Sequence, residues 1–470
     1  MVSITSIKKS DLIRNNIFQA VLGLSLFFLF IYLIFTLSSE PETFYGLAIL
    51  FLAVYFWLLT PISYMLTAFL IISFSVILGI LKPTEAFTGF ASTTIFFLLG
   101  AFILALTIEK HGLHKRIALI MLKRFGKTPK TFVLGVIITG SFLSMTMPAH
   151  GVAALFIPVL LGIYSAYREK NLNKEFVKAS LLGLSFGTSV GSMGTLLGGA
   201  RNPLAISIYY DQTGNMISFL EWFIAAIPVV IFMTFMVYFI LSKYFDVKDV
   251  DMDIIQSKIN EEVEEMGSLS MGEAKALGFL ISAFILWVSI GQIIGMGVVA
   301  VLVSAFIGIS GTISWDDMAK RLPWGTIFLY GGAISLAFIL GESGTLQFIG
   351  SLVVNFVGDS PFLALVMFAV ITAFLSNIMS NSATTAVILP IALSVMIGIG
   401  FPAVVPVFLV ALPSAFAFMF VVGTPSAALV YSTGRLDQTD FLIPGFILNV
   451  IGLISFLTIG LGWWKILGYW

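Results

Sequence analysis

Cysteine is absent from this chain, which excludes disulfides and thiolate metal sites. Charge is scarce as well. Asp, Glu, Lys and Arg make up 10% of the 470 residues, where a soluble globular chain is about a quarter charged. Acids and bases balance at 24 each, so no basic excess points to nucleic acid. No glycine-rich nucleotide loop of the GxxxxGK type occurs, which argues against an ATP-driven pump. What is present is apolar: 59% of residues are hydrophobic and the mean hydropathy is +1.06. Runs approaching 20 apolar residues, without the short alternation of barrel strands, predict membrane-spanning helices in a lipid bilayer. The N-terminus is basic and precedes an apolar run at 17–37. That run is too long for a signal-peptide core and has no convincing small-residue cleavage site after it, so it reads as a first span.

One stretch occurs twice. FLSMTMPAHGVAALFIP at 142–158 matches FLSNIMSNSATTAVILP at 374–390 without a gap, at an offset of 232 residues. The same offset lays TIFFLLGA at 94–101 on TIFLYGGA at 326–333, and Gly112 on Gly344. The chain is therefore an internal duplication, and in each copy a polar, helix-breaking stretch interrupts an apolar segment. Paired interruptions of this kind are the sequence pointer to a transporter's binding site. A second pair of breaks follows, GTLLGGARNP at 194–203 and VVGTPSA at 421–427, with Gly198 on Gly423 at an offset of 225.

These signals predict an all-α polytopic membrane protein with about 11 transmembrane spans. It is an inverted repeat with two re-entrant hairpins and two broken helices. Scaffold spans occupy 1–90. The first repeat, 91–242, holds an interfacial helix at 109–130, a hairpin at 132–165 and a broken helix at 179–210. An acidic linker at 243–275 and scaffold spans at 276–322 lead to the second repeat, 323–470. It holds an interfacial helix at 342–359, a hairpin at 361–398, a broken helix at 402–432 and a last span. The eight acids of the linker between Asp246 and Glu265 do not match a calcium loop in their spacing, and it reads as solvated chain.

Basic residues set the orientation. If each hairpin returns to its own side, one face takes three from the N-terminus, seven from 109–130 and four each from 166–178 and 243–275. Lys320, Arg321 and Arg435 bring that face to 21 of 24. The positive-inside rule makes it cytoplasmic, with the N-terminus, in a multi-pass protein assigned to the plasma membrane. The first hairpin then enters from the cytoplasm and the second from outside.

Non-helical backbone at membrane depth survives only where protein or a water-filled cavity satisfies it. Each hairpin tip starts a half-helix whose free N–H groups attract an anion. At the second tip Ser376, Asn377, Ser380, Asn381, Ser382 and Thr384 add donors and acceptors. The first tip, with Ser144, Thr146, Pro148 and His150, is poorer.

Here the sequence resembles the divalent anion/sodium symporters, which carry dicarboxylates, citrate or sulfate. Their hairpins bear a Ser-Asn-Thr signature and their broken helices a Thr-Pro-Pro-Asn-like one. Ser380-Asn381-Ser382 is similar to the second Ser-Asn-Thr, and Gly423-Thr424-Pro425 keeps half of the second proline motif. The 194–202 stretch resembles the first proline motif, with Gly199-Ala200-Arg201 in place of Thr-Pro-Pro and Asn202 on its asparagine. The resemblance implies Na+ at Ser376, Asn381 and Gly423, and a degenerate first sodium site at Ser144 and Gly198. That first site lacks its amide, because Pro148-Ala149-His150 stands where the family has Ser-Asn-Thr. The substrate set is Asn202, Ser380, Asn381, Ser382, Thr384, Thr424 and Pro425, joined by His150 and Arg201, which stand where this chain departs from the family motifs. A homodimer and a small anionic substrate follow from the same resemblance, with no other cofactor.

An intramembrane ionisable residue is a functional hypothesis by default, which singles out His150 and Arg201. An ion antiporter of the same architecture lacks the midplane carboxylate it needs. A channel lined by the breaks, and an intramembrane hydrolase using His150 beside Ser144 or Ser185, are the alternatives from other classes. The second copy has no histidine, which weighs against the hydrolase.

Overall fold

The computed structural model describes residues 9–37, 41–59, 62–167, 172–358 and 360–470. Among these the chain is helical without a strand. Among the described residues eight helices are long and apolar enough to cross a membrane, or nine if a bent pair counts as one more. With no water in the hydrocarbon to satisfy peptide groups, helices that close their own hydrogen bonds are what such a sequence can form.

The duplication is visible helix by helix. Thr93–Lys110 and Trp324–Glu342 are the paired spans that lead into the repeats. The interfacial helices Leu113–Phe125 and Thr345–Val357 start from Gly112 and Gly344, both left-handed at φ 76° and 74°. The hairpins begin at Pro129 and Pro361, after Thr128 and Ser360, whose hydroxyls cap the first turn. The first hairpin pairs Pro129–Leu143 with Ala149–Ser165, and the second pairs Pro361–Ser376 with Asn381–Gly398. The first broken segment runs as Lys174–Gly191 and Arg201–Thr213. The second has Val404–Ala411, two short 3-10 turns and Pro425–Tyr431.

Ion pairs tie the ends of one face together. Lys115 meets Glu262, Arg116 meets Glu273, Lys110 meets Asp317 and Lys178 meets Asp440. These bonds put the interfacial helix, the linker and the starts of Lys174–Gly191 and Gln438–Ser455 at the same end of the bundle. At this end the Lys115 ammonium holds the Glu262 carboxyl below its ordinary value. Lys8, Arg168 and Lys170 of the basic count lie outside the described residues. The linker is more ordered than a solvated chain. It contains the helix Met252–Glu265, with Ile255 and Ile259 buried beneath the interfacial helix. Period-3.6 placement of those two isoleucines, hidden among the acids, is the physical reason.

Candidate functional site

Both hairpin tips and both breaks meet at one cavity of about 190 Å³. Pro148, Ala149 and His150 reach it from the first tip, and Ser380, Asn381 and Ser382 from the second. The breaks add Gly198, Arg201, Gly423, Thr424 and Pro425. The volume lies below the roughly 300 Å³ at the small end of pockets for drug-sized ligands, so it suits an anion of few heavy atoms.

Two half-helices, Ala149–Ser165 and Asn381–Gly398, begin at this cavity and aim their unpaired N–H groups toward it. Pro148 caps nothing, whereas the Ser380 hydroxyl accepts from the Ala383 amide at 3.2 Å. The breaks pack on the hairpins without side chains between them. A Cβ on Gly198 would sit 2.3 Å from the Ser144 carbonyl oxygen, and one on Gly423 would lie 3.3 Å from the Ser376 and Asn377 carbonyl oxygens. Ser144 and Ser376 are 232 residues apart, so the same hairpin-to-break contact is built in each repeat.

Arg201 is 3% exposed. Its Nε donates to the Ala411 carbonyl at 3.0 Å and its Nη2 to the Ser192 hydroxyl at 2.9 Å. Among the described residues no carboxylate pairs with it. A buried guanidinium without a counter-charge, at the wall of a cavity fed by two helix N-termini, has the chemistry to accept an anion. His150 points into the cavity mouth, and no hydrogen-bond partner for its ring is found among the described residues.

The two cation sites expected from the sequence differ. At the second, Ser376 Oγ and Asn381 Oδ1 are buried with no hydrogen-bond partner among the described residues, and the Ser376 and Asn377 carbonyls face Gly423. Unpaired oxygens around a glycine fit a hard cation. At the first, Ala149 offers no side-chain oxygen, the Ser144 hydroxyl donates to the Ser141 carbonyl at 3.1 Å, and Ser192 holds the guanidinium. That donor set does not fit a second cation.

Asn202 and Thr384 do not line the cavity. Both are fully buried behind its wall. Asn202 Nδ2 donates to the Ser192 and Thr195 carbonyls at 2.9 and 2.7 Å, holding the first break open. Asn377 does the corresponding work in the second repeat. It donates to the Phe416 carbonyl at 3.0 Å and accepts from the Met419 amide at 3.0 Å. Sequence reasoning placed Asn377 among the tip polars and missed this clamp. It also missed Ser192, whose only signal was its place just before the first break, and the Tyr330 hydroxyl, 2.9 Å from Ser382.

Comparison with known proteins agrees with this architecture. The sodium:sulfate symporter transmembrane region matches residues 17–470. An uncharacterized transporter of Haemophilus influenzae is 29% identical over 457 residues, covering 93% of this chain and 95% of that protein. The sodium-dependent dicarboxylate transporter SdcS of Staphylococcus aureus is 27% identical over 481 residues, covering 96% and 92%. Among solved structures, the YdaH transporter of Alcanivorax borkumensis shares the fold with a TM-score of 0.54 at 14% identity, over 81% of this chain and 86% of that one. MtrF of Neisseria gonorrhoeae, described as one of a class of antimetabolite efflux pumps, has a TM-score of 0.54 at 16% identity, over 80% and 81%. Two repeats that converge on one cavity, and a family match along nearly the whole chain, place this protein in the sodium:sulfate symporter family as a membrane transporter.

Proposed function

We propose that the protein is a secondary transporter that carries a small divalent anion of the dicarboxylate class by alternating access. The observation that carries this reading is Arg201, a buried guanidinium lacking a carboxylate partner among the described residues, at the wall of the cavity between the tips. The anion supplies the missing counter-charge. Its carboxylates meet the N–H groups at the starts of Ala149–Ser165 and Asn381–Gly398 and the hydroxyls of Ser380, Ser382 and Thr424. The relative SdcS, named a sodium-dependent dicarboxylate transporter, supports the substrate class.

Arg201 takes the role of one sodium ion. It donates to Ser192, the residue whose backbone a Cβ on Gly198 would touch, so the fixed charge stands beside the degenerate site. Ser376, Asn381 and Gly423 hold at most one Na+, which supplies further positive charge near the anion when bound. Transport is therefore weakly sodium-dependent. It runs mainly as exchange, because a permanently charged empty site reorients poorly through the bilayer. The unpaired Ser376 and Asn381 oxygens favour a second reading, symport with a single sodium. The same proposal places the protein in the plasma membrane with a cytoplasmic N-terminus, as a homodimer.

Thermal unfolding of the detergent-solubilised protein with succinate, citrate or sulfate, each with and without sodium, tests the assignment. At one hundred times its dissociation constant a ligand stabilises by about 2.7 kcal/mol. A dicarboxylate should raise the midpoint without sodium. Stabilisation by none of the three removes the reading.

A further inference from the structure

The cavity between the tips continues into a larger one. A vestibule of about 550 Å³ shares Phe102, Pro148, His150 and Pro425 with it and runs out to Glu109 and Arg321. Its counterpart by the internal repeat is a cavity of about 410 Å³ on the other side. Phe102 and Leu106 of the first correspond to Ile334 and Phe338 of the second at the 232 offset, and Ala428 corresponds to Pro203 at 225. That second cavity shares no lining residue with the one between the tips, where Tyr330 bonds Ser382 at 2.9 Å; the Ser92–Ser207 bond at 3.1 Å lies in its own wall.

The two vestibules differ in charge. The open one carries an ion pair, Arg321 with Glu109, whose side chains are 38% and 27% exposed. The closed one carries a lone carboxylate, Asp211, and no basic residue lines it. Positions equivalent to Arg321 and Glu109 at the repeat offset are Gly89 and Gly341, so neither charge is a relic of the duplication. Both side chains line the vestibule that adjoins the cavity holding Arg201, and Arg321 is exposed there.

We propose that Arg321 is a second anion-binding station, used as the transported anion passes through the open vestibule, with the Glu109 carboxylate as its resident occupant. The proposal rests on the anion-transport reading above and adds a residue to it. Chemically, a guanidinium that already holds one carboxylate by a charge-assisted hydrogen bond will hold another of the same kind. An arriving anion displaces Glu109, and Glu109 in turn displaces the anion into solvent or inward to His150 and Arg201. The exchange of like ligands keeps the residence time short. Among the described residues no basic side chain lines the opposite cavity, so capture is asymmetric: substrate binds more readily from the Arg321 face than from the Asp211 face.

The test uses radiolabelled succinate, citrate and sulfate as probes, with the full chain in right-side-out and inside-out vesicles. Arg321→Gln should raise KM at the Arg321 face by roughly three- to tenfold, the range for losing one partly exposed charge contact. Glu109→Gln breaks the same ion pair yet frees Arg321 for the substrate, so KM at that face should fall about threefold and release should slow. At the opposite face both variants should stay within about twofold of the parent. A pair that only braces Thr93–Lys110 against Trp315–Arg321 predicts instead that both substitutions act in the same direction. That outcome, equal shifts at the two faces, or no change in Glu109→Gln overturns the proposal. Should Arg321→Gln fail to reach the membrane, the sign of the Glu109→Gln effect decides alone. A parent protein that exchanges none of the probes overturns the transport reading itself, a distinct result.

Discussion

Replacing Arg201 by alanine separates a binding role from a structural one. The guanidinium is buried, and a substrate oxygen about 5 Å away, at an effective dielectric of about 20, interacts with it at roughly 3 kcal/mol per unit charge. Desolvation of both partners offsets part of this, leaving a net loss of about 2–4 kcal/mol, or roughly 30- to 1000-fold in affinity. The empty protein should respond differently. The Ser192 hydroxyl keeps its bond to the Ser189 carbonyl, and the Ala411 carbonyl keeps the one from Ser414, both at 2.7 Å. Alanine therefore orphans neither acceptor and removes a buried charge that nothing neutralises, so the melting temperature without anion should hold or rise. Counterflow of labelled succinate in proteoliposomes reports affinity, and a thermal melt reports stability. Exchange within threefold of the parent, or collapse of the anion-free protein, would refute the assignment of Arg201 as the anion's counter-charge.

Asn381→Ala removes an unpaired buried oxygen at the second cation site and a lining residue of the cavity. Sodium stimulation should vanish and succinate affinity should drop by roughly five- to 150-fold, read as uptake against sodium concentration. Asn377→Ala leaves the second break without its clamp and should cost about 1–3 kcal/mol of stability with little change in KM for the molecules that remain folded. A lowered KM with an unshifted melt would contradict that division of labour. A cysteine at Lys123 should react only with a reagent applied from the cytoplasm, and one at Gln212 only from outside; labelling of both from one side ends the inverted topology.

Much of this was legible because lipid removes alternatives. In a bilayer a polar, proline- and glycine-bearing interruption has few places to go, so the repeated stretches marked both tips and both breaks. The duplication then aligned Pro129 with Pro361 and Gly112 with Gly344, and these are the starts of paired elements. Side-chain direction was less readable, since helical periodicity lapses at a break. Asn202 and Asn377 thus looked like site residues when they hold backbone carbonyls. Pairs distant in sequence left no local trace. Glu109 and Arg321 stand 212 residues apart, and in the sequence Arg321 counted only toward the basic face. The linker helix Met252–Glu265 was masked by its own acids.

The central claim is that a fixed guanidinium replaces one of two sodium ions, and sodium titration of succinate exchange addresses it most directly. Proteoliposomes loaded with unlabelled succinate should take up labelled succinate in sodium-free buffer. Any stimulation by added sodium should follow a Hill coefficient near one, the signature of the single site at Ser376, Asn381 and Gly423. Uptake that is absent without sodium and rises with a Hill coefficient near two would mean that both cation sites fill and that Arg201 has another role.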